Sequence, residues 1–136
     1  MVIRYAFLWR SEEARGREEG VKDRPCAVVL ATRRTGQALT VVVSPITHAV
    51  PPDPGAAVEI PAAVKARLKL DAARSWIVIS EVNVFRWPGT DIRPIDPRDR
   101  SQGYAYGFLP SGLTRTTIDG VRDQMRRGVA RIVARD

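Results

Sequence analysis

Cys26 to Ala31 is an unbroken apolar run, rich in valine, opened by Pro25 and followed by Thr32 to Gln37, a turn with two arginines and a glycine. A run that short has no room for a helical face, and its β-branched content favours a strand buried on both sides. Similar short runs recur between prolines and glycines, so the chain predicts a mainly β fold. Residues 3–9 read as a first strand. Leu39 to Val43 reads as another, with Pro45 ending its regular pairing because it has no N–H to donate. Ala49 to Gly55 carries three prolines and is a rigid connection. Val58-Glu59-Ile60 predicts a short edge strand, and Pro61 suits the first position of a helix through Leu68. Ser75 to Ser80 and Val82 to Trp87 are further strands, the second stopped by Pro88-Gly89. Residues 90–103 read as loop.

The pattern changes after Leu113. Ile118, Val121, Met125, Val129 and Ile132 recur at steps of three and four, which predicts one long helix with Ser111 as N-cap. The expected fold class is therefore α+β, mainly β: a small antiparallel barrel with a short helix between strands and a C-terminal helix. At 136 residues, with no internal repeat or linker, residues 1–136 are expected to form one domain that needs no disulfide.

Net charge is +7, and 19 of the 22 basic residues are arginine. That sign favours a polyanionic partner, and arginine suits bidentate phosphate contacts and stacking on bases. Arginine-rich composition also follows from a GC-rich genome. The single cysteine, Cys26, lies within an apolar run and reads as a buried thiol in a reducing compartment, not as a nucleophile. No apolar stretch approaches the ~20 residues of a membrane span, and the N-terminal residues lack a signal-peptide layout, so a cytoplasmic protein without membrane contact is expected.

Two places hold side chains suited to a phosphate. Arg24 is held towards extended geometry by Pro25. A guanidinium pre-organised there can stabilise the charge of a pentacoordinate phosphorus, although pairing with Glu19 or Asp23 is the simpler role. Thr47 and His48 follow Pro45 near a strand end, where a hydroxyl can donate to a phosphate oxygen and the chain's one histidine can exchange a proton. Either can also cap a turn. One histidine and one cysteine exclude the usual zinc sites. There is no GxxxxGK[ST], GxGxxG or GxSxG, and no carboxylate cluster for magnesium, so neither metal nor cofactor is expected. Cleavage of RNA by its own 2′-OH requires least of a protein, because the substrate brings the nucleophile.

Taken in order, these motifs resemble the MazF/PemK family of toxin endoribonucleases. The carrying residues are Glu19-Gly20, Arg24-Pro25 with the apolar strand to Leu30, Ser44-Pro45-Ile46-Thr47, Val58-Glu59-Ile60, and Ser75-Trp76-Ile77-Val78-Ile79-Ser80-Glu81. The match covers roughly residues 3–95. The chain departs from the family where Glu81 is followed by Val82-Asn83, not glutamine, and in Trp76, Trp87 and the highly charged first loop. The resemblance implies an SH3-like barrel that forms a homodimer, cuts single-stranded RNA sequence-selectively without metal, and is neutralised by a cognate antitoxin protein. It implies Arg24 and Thr47 as catalytic residues and Glu19 as a supporting acid. Arg10, Arg15, Arg17 and Lys22 would then line the RNA groove. His48 has no family counterpart and enters as a possible supporting base. Two alternatives remain: a non-catalytic SH3-like module binding RNA or a protein, and a toxin of the same fold acting on a protein such as gyrase.

Overall fold

The computed structural model describes residues 1–16 and 22–135. The fold is α+β and mainly antiparallel, with eight strands and three α-helices among the described residues. In chain order these are β1 (Val2–Tyr5), α1 (Arg10–Ala14), β2 (Arg24–Thr32), β3 (Thr40–Thr47), β4 (Ala57–Glu59), α2 (Ala62–Arg67), β5 (Trp76–Val78), β6 (Glu81–Arg86), β7 (Ala105–Gly107), α3 (Ser111–Arg126) and β8 (Arg131–Ala134). Glu19 and Arg17 lie outside the described residues.

The strand order is β4-β5-β3-β2-β1-β7, with β6 on β3 and β8 on β6. Among the described residues no ladder joins the ends, so the expected barrel is an open arrangement of sheets that share β3. One edge of β3 faces β2 along most of its length. The other edge pairs with β6 through Thr40–Val43 and with β5 through Ile46 and Thr47. Pro45 therefore does not end the strand as expected. It falls in the gap between those two ladders, where a strand tolerates a residue with no N–H.

The strands are buried on both faces, and neighbouring residues serve opposite cores. Val2, Ala27, Val29 and Val42 join Val64, Leu68 and Val121, contributed by α2, its end and α3. Ile3, Cys26, Val41 and Val43 join Tyr5, Phe7 and Phe85 on the other side. Apolar strands without polar alternation are what such a two-sided core requires.

Several boundaries move. β1 stops at Tyr5, although Ala6, Phe7 and Leu8 stay buried. β4 begins at Ala57 and pairs only with β5, as an edge. The strands expected at 75–80 and 82–87 are Trp76–Val78 and Glu81–Arg86. The polar stretch Ser11 to Lys22, which reads from the sequence as a loop or a frayed helical turn, begins in the short helix α1. The short strand β7 falls in a region with no strand signal.

The largest correction concerns the C-terminal helix. It begins at Ser111 with Pro110 as N-cap and ends at Arg126, not beyond Ile132. Gly128 takes φ +70, a left-handed conformation that glycine adopts without a Cβ penalty. The chain then returns as β8, parallel to β6, with Val133 buried. Val129 and Ile132 continue the 3.6-residue pattern by coincidence and are exposed. Pairing with the free edge of β6 outweighs helical periodicity there.

Candidate active site

The Cys26–Pro45 pair sets the β2–β3 register. Continued by two residues, it brings Arg24 level with Thr47, and both line one cleft of about 360 Å³. Trp9, Lys22, His48, Lys65 and Asp71 line it too. Residues from the start of β2, the end of β3, the turn before α1 and the segment after α2 thus converge.

Arg24 is half-buried with its guanidinium 5.1 Å over the Trp9 ring, a cation–π contact of ~0.5–1 kcal/mol. Its Nε is buried without a hydrogen-bond partner, and among the described residues Arg24 makes no ion pair. Asp23, the neighbour that was a candidate partner, instead faces Arg4 at 3.6 Å and Arg93 at 3.7 Å. Burial pushes the Arg24 pKa down, against the opposing pull of the Glu12 carboxylate. An arginine that lines a cleft with no ion-pair partner among the described residues is suited to an anionic ligand.

Trp9 owes its place to β6. Asn83, fully buried, accepts from Leu8 N–H at 2.9 Å and donates to Leu8 C=O at 2.8 Å. Glu81 accepts from Arg10 N–H at 2.6 Å. The backbone on both sides of Trp9 is therefore pinned by side chains of β6: Asn83, where the chain departs from the MazF/PemK pattern, and Glu81, which matches it. Arg10 and Arg15 are exposed and do not line the cleft, whereas Lys22 does.

Thr47 Oγ1 accepts a 3.2 Å hydrogen bond from Ala49 N–H. The backbone thus occupies a lone pair and leaves the hydroxyl proton available to donate. His48 is exposed, and its Nε2 lies 2.7 Å from Asp71 Oδ2. The other Asp71 oxygen is 2.6 Å from the ammonium of Lys65, which is buried on α2. Lys65 also donates to the Ala73 carbonyl and, at 2.5 Å, to the Ser75 hydroxyl, so its three protons are all used. The Lys65 hydrogen bond, more than the nearby His48, holds the Asp71 pKa below the usual carboxylate range.

Sequence reasoning missed Trp9, Lys65 and Asp71. An aromatic in a strand-like run and a lysine on a short helix give no local sign of meeting an arginine elsewhere in the chain. Cys26 is buried and burial raises its pKa strongly, so it stays a thiol. Among the described residues no group of three or more His, Cys, Asp or Glu side chains converges to hold a metal ion. No helix of the described residues is long and apolar enough to cross a membrane. Comparison with known proteins yields no match to a family model, a curated protein or a solved structure.

Proposed function

We propose that the cleft is the active site of an endoribonuclease of MazF/PemK type, cutting single-stranded RNA without a metal. The observation that carries this reading is the placement of Arg24, with no ion pair among the described residues, level with Thr47 in one cleft. In this reading the scissile phosphate lies between the guanidinium and the Thr47 hydroxyl, and both donate to its non-bridging oxygens as charge builds. The substrate 2′-oxygen attacks phosphorus and loses its proton, and the P–O5′ bond breaks. The 5′-oxygen takes a proton from solvent, leaving a 2′,3′-cyclic phosphate and a 5′-hydroxyl.

His48 is the proton acceptor in this scheme. With Nε2–H donated to Asp71, Nδ1 carries the lone pair, the arrangement in which a carboxylate orients a base. Trp9 offers a face on which a base stacks, and Lys22 adds charge beside the phosphate. The open sheets sharing β3 are read here as an SH3-like small barrel in a single domain. A cognate antitoxin, a second copy of the chain and a cytoplasmic setting rest on the family resemblance.

The test is incubation of the purified protein with long single-stranded RNA in EDTA. The expected result is 2′,3′-cyclic phosphate ends, lost in Arg24→Ala and Thr47→Ala while both variants remain folded. RNA binding with no cleavage by the native chain would overturn the enzyme and select the non-catalytic module.

A further inference from the structure

Beside the Arg24 cleft lies a second one, of about 630 Å³, and the two share Trp9, Thr47 and Ala49 in their walls. Its volume is within the ~300–1,000 Å³ of small-ligand sites. The far wall is built by the end of α3 and the start of β8, the part of the chain that the helical pattern of the sequence misassigns. There Gln124 is only 8% exposed, and among the described residues its side-chain amide makes no hydrogen bond. A residue mostly buried by its neighbours, whose amide opens into a cleft with no protein partner among the described residues, can pair with a ligand there. Val50 and Val129, both exposed, supply apolar surface, and Arg131 at the rim makes no ion pair among the described residues. Two carboxylates also line the cleft. Asp53 accepts from Gly55 N–H, and Glu81 from Arg10 N–H, so both are engaged by backbone amides.

We propose that this second cleft is a nucleobase subsite. It receives the base adjacent to the scissile phosphate of single-stranded RNA, with Gln124 pairing along the base edge and Arg131 on the neighbouring phosphate. The inference rests on reading the Arg24 cleft as the phosphate site. The two clefts meet at Thr47 and Trp9, so a strand leaving the first on that side enters the second. A carboxamide presents a donor and an acceptor side by side, the pattern that distinguishes one base edge from another.

The test uses tetranucleotides with a 2′-deoxyribose at the attacking position, which bind but cannot be cut, varied one base at a time and followed by fluorescence anisotropy. The native chain is expected to prefer one base at one flanking position by about tenfold, as a bidentate pair contributes. Gln124→Ala should reduce that preference to within about twofold. Gln124→Glu, which keeps shape and replaces the donor with an acceptor, should move the preference to another base. Arg131→Ala should weaken all sequences alike and lower the salt slope by about one. An unchanged preference in both Gln124 variants overturns the subsite, as does failure of the native chain to bind any tetranucleotide. Gln124-dependent preference with no cleavage of the all-ribose versions sinks the endoribonuclease alone and leaves the subsite standing.

Discussion

His48 Nε2 lies 2.7 Å from one oxygen of Asp71, and the buried ammonium of Lys65 lies 2.6 Å from the other. One carboxylate thus links a helix lysine to an imidazole on a strand end. Lys65 has its three protons committed, so it holds one oxygen of Asp71 while the other orients the exposed imidazole. Groups that act as a unit lose most of their effect when any one is removed. Under the proposed endoribonuclease reading, His48→Ala and Asp71→Ala are each expected to slow RNA cleavage by about 10²-fold, the lower range for general-base catalysis. The double variant should be no slower than the slower single one. Full multiplication of the two effects in single-turnover rates would show that the residues act independently.

Arg24 and Thr47 should each weigh heavily on rate and little on stability. Arg24→Ala removes a cation–π contact of ~0.5–1 kcal/mol together with a buried Nε that has no partner. Its thermal midpoint should therefore move little, while cleavage falls about 10²–10³-fold. Arg24→Lys should not restore the rate, because an ammonium lacks the planar fork. Thr47→Val keeps the β-branched shape and removes only the hydroxyl. It should lose cleavage and retain the native near-ultraviolet circular dichroism.

Cys26 is fully buried, and burial holds its thiol well above the ordinary value. At neutral pH the folded and unfolded chains both carry the proton. Above about pH 8.5 the unfolded chain ionises and the folded one does not, so stability falls as pH rises through that range. The native protein should react with a thiol-specific disulfide reagent only as fast as it opens. Rapid stoichiometric labelling at pH 7.5, without loss of structure, would contradict the burial.

Asn83 is the side chain whose loss should cost most without touching substrate. Asn83→Ala leaves the N–H and C=O of Leu8 unpaired in the interior and removes an acceptor 3.1 Å from Arg135 Nη1. Stranded buried polar groups cost ~1–3 kcal/mol each. A loss of about 3 kcal/mol is expected in urea unfolding, read as a lower midpoint at unchanged slope. Because Leu8 precedes Trp9, RNA cleavage should fall in the same variant.

Much of the strand content was legible because apolar β-branched runs bounded by proline and glycine have few other ways to fold. The placement of Arg24 beside a proline and of Thr47 near a strand end was legible as well. β7 was not, since Ala105–Gly107 is short and its Gly107 adopts φ +139. β8 was actively disguised, because Val129 and Ile132 extend the helical stripe of α3. Trp9, Lys65, Asp71 and Gln124 carry no local mark of function. Each acquires its meaning from a neighbour distant in sequence.

By itself the sequence determined most of the extended runs, which residues seek burial, and a net positive charge together with an arginine held by a proline. Those properties follow from side-chain shape, charge and backbone restriction over a few residues. Only the tertiary structure decided that β3 changes partner at Pro45, that β8 takes the edge of β6, and that Arg24, Thr47, His48 and Asp71 meet in one cleft. Strand pairing and side-chain contact are set by long-range register and shared burial, and no short window of sequence contains both partners.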